Sequence, residues 1–386
     1  MHEVVVVGGG PAGLFAAGRL ARAGRDVVLL EEHHAPGEPV HCTGILAREA
    51  FDEFAIPRDV ILNELTTARF VSPSGCEILH RTRSVEAVVI DRRALDVHLA
   101  REASRLGARV QTGSRVLGVT VDAEGVTVRH TAGTEIRARA CVLATGGRYG
   151  LHRGLGFGLP DLFLHTAQME IPAGRPGEVE LHFGRDVAPG GFAWAVPVWR
   201  GDRSFARVGV MAERNAPAYF DRMLDRVAGR WGITRMPDAP PRQRILPLGS
   251  LTRTYRDRVI TVGDAAGLVK PTTGGGIYYG LLSAALGAEA LDAGLRDGRL
   301  SAKNLSAYQR EWQRRLKAEL DTQSSFRRVA QQMSDTEIEG LFELARTDGV
   351  MPIVRRAAEF NRHRRLIVAL LRHQPARRLF FRSFVA

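Results

Sequence analysis

Short, wholly apolar runs alternate along this chain with segments whose apolar residues recur every three to four positions. Val4–Val7 is one such run, short and uninterrupted, as a strand buried on both faces must be. From Ala12 to Ala23 the spacing changes to that of a helix, and Asp26–Leu30 returns to a buried strand ending at Glu31. Together they predict a strand–helix–strand unit of about 30 residues. Val88–Ile90 and Arg92–Leu106 read as a further strand and helix. Between Arg109 and Ala144 strand-like segments alternate with turn signals at Asp122–Gly125 and Ala132–Gly133. The last of them, Ala140–Ala144, runs into Thr145–Gly146–Gly147.

Beyond Leu151 the strands lengthen and lose their intervening helices. Phe163–Ile171, Glu178–Phe183, Phe192–Trp199 and Ser204–Met211 are the expected strands, with one helix over Ala216–Trp231. This predicts an antiparallel sheet with one face packed and the other available to a ligand. Arg258–Val262 is another buried strand, after which Gly274–Gly275–Gly276 open an apolar helix, and everything from Ser301 onward is helical in character. The expected fold class is therefore α/β. A doubly wound Rossmann-type cofactor domain (1–60, 86–150 and 251–300) interleaves with an antiparallel-sheet substrate domain (61–85 and 151–250), followed by a helical C-terminal region (301–386).

Composition narrows the field. With 386 residues, 45% hydrophobic and 25% charged, the chain has the make-up of a globular protein large enough for more than one packed region. The three cysteines, Cys42, Cys76 and Cys141, are odd in number and far apart, which argues for a reducing compartment rather than a disulfide framework. Glu3 and an apolar run lead straight into glycines with no signal-peptide pattern, and the nearly apolar stretch Gly276–Leu295 is broken by Glu289 and Asp292. The expectation is a cytoplasmic protein, peripheral at the membrane, with no nucleic-acid partner. The net charge of +12 is uneven: Met351–Ala386 holds nine arginines and one glutamate. Lysine occurs only at 270, 303 and 317, so arginine is the general-purpose base here.

Two motifs carry the candidate chemistry. In the first, Gly8–Gly9–Gly10–Pro11–Ala12–Gly13, the glycines at 8, 10 and 13 fit three demands. They allow a tight turn off the strand, close approach of backbone to a diphosphate, and helix–strand packing without an intervening Cβ. The helix N-terminus then directs N–H groups and positive partial charge at the anion. Glu31, with Glu32 beside it, ends the second strand where a carboxylate accepts ribose hydroxyls and repels a 2′-phosphate. In the second motif, Gly263 and Asp264 follow a hydrophobic strand, and Gly274–Gly276 with Ile277 begin a helix whose N–H groups can face the pyrimidine edge of an isoalloxazine. The pairing points to tightly bound FAD. Lys270, between Asp264 and the glycines, is either a cation that favours reduced flavin or a partner for a solvent-side carboxylate.

These segments resemble the geranylgeranyl reductase family of FAD-dependent oxidoreductases, within the glutathione-reductase-like and hydroxylase-like FAD group. The resemblance runs from Met1 to about Leu295 and includes VHCTG at 40–44, DRRALD at 91–96, ATGG at 144–147, PGGFAWAVP at 189–197 and GDAAGLVKPTTGGGIYYG at 263–280. It implies that Arg92 contacts the FAD diphosphate, that Ala144, Thr145 and Gly146 border the cofactor, and that Cys42, Thr43 and Gly44 lie beside the isoalloxazine. PGGFAWAVP is similar to the family's aromatic substrate motif Tyr-x-Trp-x-Phe-Pro. Phe192 stands for the Tyr, which removes a phenolic proton donor but leaves a pocket wall, while Trp194 and Pro197 match.

The implied reaction is saturation of carbon–carbon double bonds in a polyprenyl chain carried on a lipid, quinone or prenyl diphosphate. Phe192, Trp194, Cys42 and Lys270 are the expected catalytic-site residues, and NAD(P)H or a reduced carrier such as ferredoxin is the expected donor. Strand alternation puts Phe192, Trp194 and Val196 on one face, either as an apolar slot or as core. Cys42 either donates a proton or packs in a tight turn. His33, His34 and His41 lack the spacing of a zinc site, so no metal is expected. Two alternatives stand beside the reductase: a flavin monooxygenase or halogenase, from which Phe192 departs because halogenases of this type carry Trp-x-Trp-x-Ile-Pro, and a non-catalytic membrane-surface flavoprotein. For the latter, and for drawing a lipid from a bilayer, the relevant segment is the tail. There Arg355, Arg356, Arg362, Arg364, Arg365, Arg372, Arg377, Arg378 and Arg382 interleave with Leu366–Leu371, Leu379, Phe380, Phe381 and Phe384. The rival expectation is that those apolar residues fold back on the core beneath a solvated arginine face.

Overall fold

A computed structural model describes residues 1–133, 135–234, 239–347 and 349–381; Arg382 and Phe384 of the basic tail lie outside the described residues. The chain divides into two compact units, Met1–Val40, Arg92–Leu162 and Pro247–Leu320 forming the first, His41–Asp91, Phe163–Leu246 and Asp321–Ala386 the second. These bounds differ from the expected domains. The stretches 41–60 and 86–91 group with the long antiparallel strands, and the expected C-terminal region is divided at Leu320.

In the first unit, strands Tyr255–Arg256, Val259–Thr261, Ile136–Leu143, His2–Val7, Val27–Leu30 and Arg109–Gln111 lie side by side in that order. All neighbours are parallel except the edge pair Tyr255–Arg256 with Val259–Thr261. Val4 pairs with Val27 and Ala140, and Val7 with Leu30 and Leu143. The central strands are buried on both faces, which is why they read as unbroken apolar runs. Helices Pro11–Arg22, Arg92–Arg105 and Ile277–Arg296 pack together on the sheet, Gly18 meeting Ala103 closely enough for helix to lie on helix. One face of the sheet (Val5, Val7, Val28, Leu30, Cys141, Leu143) is covered by the hairpin strands Val116–Val121 and Val126–His130, with Leu151 of the short helix Gly150–Gly154 and Tyr149 just before it.

In the second unit the order is Arg242–Leu248, Leu162–Pro172, Arg203–Ala212, Phe192–Arg200, Val179–His182, Thr67–Val71 and Glu77–Arg81. The long strands pair antiparallel as expected. One joint is parallel, Val179–His182 against Thr67–Val71, because the latter pair arrives from a distant part of the chain as a ready-made hairpin. One face carries Ala193, Ala195, Ala206, Val208, Val210 and Ala212. Those small side chains let helix Ala216–Trp231 sit close, burying Phe220, Met223, Val227 and Trp231. A small sheet of Ile45–Ala47, Ala87–Ile90 and Ile61–Leu65 completes the β structure.

The tail ends in helices Asp335–Thr347, Val350–Ala357, Arg364–Arg372 and Gln374–Phe381. Most of its apolar residues turn inward: Met333, Ala376 and Phe380 are buried among Phe326, Ile338, Leu341, Leu344, Leu370 and Leu371, whereas Phe381 is 39% exposed. The described arginines from Arg355 to Arg378 are all exposed. Among the described residues no helix is long and apolar enough to cross a membrane.

Candidate functional site

The two glycine motifs, far apart in sequence, meet in the first unit. Strand His2–Val7 ends in Gly8, whose φ of +107° turns the chain toward the helix, and a Cβ there would lie 2.4 Å from the Ala144 carbonyl oxygen. Gly13 is tighter still, since its Cβ would fall 2.0 Å from the Gly8 carbonyl oxygen. Ala144 is thereby pressed against both glycines, and Gly263, with φ of +62°, packs on Ala12. Gly10 and Gly146 are different: a Cβ on either would meet nothing within 4 Å, so the backbone there faces open space. Helix Pro11–Arg22 begins at Gly10 with no side-chain cap, leaving its first N–H groups for a ligand.

Glu31 is buried at the end of its strand. One carboxylate oxygen accepts from the Gly9 N–H at 2.6 Å and the other from the His33 N–H at 2.9 Å, so the side chain braces the glycine loop. Glu32 takes the Arg148 guanidinium at 2.6 Å, drawing the segment after Gly146 and Gly147 toward the same strand end.

Asp264 occupies a one-turn 3-10 helix, Gly263–Ala266, and its carboxylate lies over Gly276, where a Cβ would come within 2.6 Å of Oδ1. Loss of water pushes this carboxyl above its ordinary value, and the charge of Arg92 pulls the other way. Arg92 is itself clamped to Asp96 one turn on, at 2.9 Å. Lys270 is buried, not a surface cation. Its stem crosses Gly275, whose Cβ would meet Cε at 2.5 Å, and its backbone pairs with Gly274 and Gly275. The three glycines precede the helix rather than forming its first turn: helix Ile277–Arg296 starts at Ile277 with Gly276 as its uncapped N-cap. Gly274, at φ +74°, supplies the reversal.

Two residues here carry no motif signal. The Tyr149 hydroxyl donates to the Asp264 carbonyl, and His152, fully buried, bonds the Ala265 carbonyl at 2.8 Å. Burial drives the Tyr149 hydroxyl up, with the Asp264 charge adding, and drives His152 down, so both stay neutral and hold the Asp264 turn from below.

Cys42, Thr43, Gly44, Phe192 and Trp194 belong to the second unit. Phe192 and Trp194 share the sheet face opposite helix Ala216–Trp231, with ring centroids 5.9 Å apart. Phe183 continues the cluster 6.1 Å from Phe192, touching Phe70 and Phe342. The Trp194 indole lies flat on Gly209, its cross-strand partner, where a Cβ would come within 2.3 Å of the ring. Its buried N–H has no acceptor among the described residues. The Cys42 thiol accepts from the Gly44 N–H at 3.3 Å, and Thr43 Oγ1 donates to Gln168 at 3.1 Å. Burial, reinforced by Arg244 and Arg242 and opposed by a bond to the Arg242 carbonyl, lowers His41 to about 4, leaving it neutral. Among the described residues no group of three His, Cys, Asp or Glu side chains could hold a metal ion.

The backbone cradle, with Gly10 facing open space at an uncapped helix N-terminus, suits a dinucleotide diphosphate. Residues 1–323 match the FAD binding domain family. The chain is 31% identical over 380 residues to digeranylgeranylglycerophospholipid reductase 1 of Methanopyrus kandleri, covering 90% of this chain and 98% of that protein. It is 30% identical over 358 residues to digeranylgeranylglycerophospholipid reductase 2 of Methanothermobacter thermautotrophicus, covering 88% and 90%. A solved structure of a geranylgeranyl bacteriochlorophyll reductase-like protein from Thermoplasma acidophilum superposes with a TM-score of 0.84 over 99% of this chain and 98% of that one, at 23% identity, and so shares its fold. The fold and the matched domain define an FAD-dependent oxidoreductase. Within that class the chain belongs to the geranylgeranyl reductase family.

Proposed function

We propose that this protein saturates carbon–carbon double bonds of a polyprenyl chain, with a geranylgeranyl-type glycerolipid as the substrate class. The observation that carries this reading is the match, over about nine tenths of the chain, to proteins named digeranylgeranylglycerophospholipid reductase. FAD, when reduced, supplies the hydride, and one proton from solvent or a side chain completes each saturation.

The residues divide the work. Gly10, Ala12 and Gly13 meet the diphosphate by backbone, with Gly8 turning the chain and Pro11 starting the helix; Glu31 and Glu32 take the ribose end, and Arg92, Ala144, Thr145, Gly146, Gly263 and Asp264 the intervening chain. Gly275, Gly276 and Ile277 present N–H groups to the pyrimidine edge, Gly274 reverses the chain before them with its own N–H on the Lys270 carbonyl, and Lys270 is the adjacent cation. Cys42, Thr43 and Gly44 border the ring, and Phe192 and Trp194 hold the alkene in a flat apolar slot. The donor is NAD(P)H or a reduced carrier, bound transiently, since the sequence has no second dinucleotide fingerprint.

Incubating the purified yellow protein with dithionite and a digeranylgeranylglyceryl phospholipid tests this reading directly. Mass spectrometry should find a gain of one H2 per saturated bond, and Trp194→Ala should cut turnover while flavin content holds. No mass gain, with rapid peroxide formation on NADPH addition, would replace the reductase by oxygen chemistry. For access to such a lipid, the eight exposed arginines from Arg355 to Arg378 supply an electrostatic docking face, each worth on the order of 1 kcal/mol near an anionic surface. Because the apolar residues beneath them pack inward, binding should need anionic lipid and fall with salt. Equal sedimentation with neutral and anionic liposomes would remove that role.

A further inference from the structure

The structure assigns Arg207 as the positioning residue of the Cys42–Thr43–Gly44 turn; the role rests on the reading above that this turn borders the reacting centre. Arg207 interrupts the apolar run Phe205–Ala212 of strand Arg203–Ala212 and is 2% exposed. A guanidinium so placed needs an ion-pair partner, because an unpaired buried charge is strongly destabilising.

The partners are specific. Nε donates to Glu170 Oε2 at 2.8 Å, across the strand pair that sets Glu170 opposite Arg207. Nη1 donates to the Thr43 carbonyl at 2.8 Å and to the Ile90 carbonyl at 3.1 Å. Ile90 in turn donates its own N–H to the Gly44 carbonyl at 2.8 Å. Gly44 has φ of +74°, and a Cβ there would lie 2.6 Å from Arg207 Nη1. The turn is therefore shaped around the guanidinium, and the glycine is where the two touch. Glu170 is steadied by Arg200 at 2.6 Å, and Arg200 also reaches Asp91 at 2.5 Å, so two cations meet two carboxylates.

Register adds the functional link. Arg207 pairs with Val196, and Gly209 with Trp194, in the same two strands. Arg207, Gly209, Trp194, Glu170 and Gln168 thus occupy one face of the sheet, opposite the face under helix Ala216–Trp231. Gln168 holds the Thr43 hydroxyl from that face while Arg207 holds its carbonyl. The turn carrying Cys42 is fixed from the same face as the aromatic slot, by Gln168 in the row of Trp194 and Arg207 in the next.

Lysine cannot replace this fork. Its ammonium is a single point charge, whereas the guanidinium spans a carboxylate and two carbonyls in one plane. The test uses the FAD-loaded protein with Cys76→Ser, in which Cys42 is the reactive thiol because Cys141 is fully buried. Alkylation of Cys42 by iodoacetamide is read as its limiting rate at high pH, so that thiol ionisation does not enter. Arg207→Met should raise that rate about tenfold by local opening of the turn. Arg207→Lys should fall between, and kcat should drop more than KM rises. Gly44→Ala, which pushes on the guanidinium without removing an ion-pair partner, should reproduce the effect if Arg207→Met fails to fold. An unchanged alkylation rate in the variants that fold overturns the assignment. A faster rate with undiminished turnover keeps Arg207 as the holder of the turn and removes the turn from the reaction, which is a failure of the underlying functional reading alone.

Discussion

The glycine cradle of the first unit and the ion network of the second solve the same problem, fixing a loop, by opposite means. Around Gly8, Gly13 and Gly263 the loop is held because side chains are missing: backbone lies on backbone, and a single Cβ would collide at 2.0 Å in the worst place. Around Arg207 the loop is held by long side chains, with Glu170, Arg200, Asp91 and Gln168 closing the network. The first arrangement leaves backbone N–H groups free to meet an anion. The second uses up its polar groups internally and leaves the neighbouring aromatic face apolar. In the function proposed above, the first architecture would meet a charged cofactor and the second would border a hydrocarbon chain.

The largest expected effect comes from breaking the cradle. Gly13→Val drives a Cβ into the Gly8 carbonyl and should cost about 3 kcal/mol or more, with loss of the flavin band near the visible blue. A yellow variant with an unchanged melting curve would show that helix and strand are not in the contact described. Next, Gly209→Ala forces the Trp194 ring off its floor. Stability should fall by about 1–3 kcal/mol with flavin content intact, and Trp194→Phe in the same chain should recover much of it.

Acid separates the two units by sign. Burial opposes the charge of Glu170, but its bonds to Arg200 and Arg207 outweigh that and hold its carboxyl below the ordinary 4.5. Its contribution to stability is therefore present above that value and lost as pH falls through the lower native one. Asp264 is raised above 3.8, chiefly by burial, so its charged form weakens the folded state at neutral pH and stability is gained as pH falls through its native value. Hence Glu170→Gln should destabilise at neutral pH. Asp264→Asn should stabilise the flavin-free protein by on the order of 1 kcal/mol while weakening flavin retention. Thermal melts of the flavin-free variants at neutral and acid pH check both; the same sign for the two would dissolve the contrast. The smallest effect concerns Lys270. Lys270→Met should lower the flavin potential by on the order of 30 mV, equivalent to ~1.4 kcal/mol for two electrons, measured by dye equilibration. An unchanged potential would leave Lys270 as a cover for Gly275.

Much of the first unit was legible in the chain. Val4–Val7 and Val27–Leu30 are apolar throughout because both sheet faces are covered, and the glycine spacing reports contacts that only glycine permits. In the second unit, the helix Ala216–Trp231 has the bounds that its periodicity predicts. What the pattern hid was side-chain pairing across strands. Glu170 and Arg207 stand 37 positions apart and look like two unrelated polar residues until register sets them face to face. One signal was available, since an arginine within Ala-Arg-Val-Gly-Val-Met has to be paired if the strand is buried. Tyr149 and His152 gave no such sign, because a carbonyl acceptor can come from anywhere in the chain. The parallel joint between Val179–His182 and Thr67–Val71 was equally invisible, as apolar alternation carries no information about strand direction.

The unpaired Trp194 N–H gives the protein an optical handle. Of the four tryptophans, Trp231 donates to Glu180, Trp312 donates to Thr254, and Trp199 is 42% exposed. Trp194 alone among them is buried against aromatic rings and a glycine with no acceptor in reach among the described residues. An excited indole that is buried and has no hydrogen-bond acceptor at its nitrogen relaxes less than an exposed one, so it emits at shorter wavelength. In the flavin-free protein, the difference in emission between the wild type and Trp194→Phe therefore reports on the proposed aromatic slot. A hydrocarbon chain entering that slot would change its intensity but not its colour, whereas any ligand bringing an oxygen to the ring nitrogen would shift it to the red.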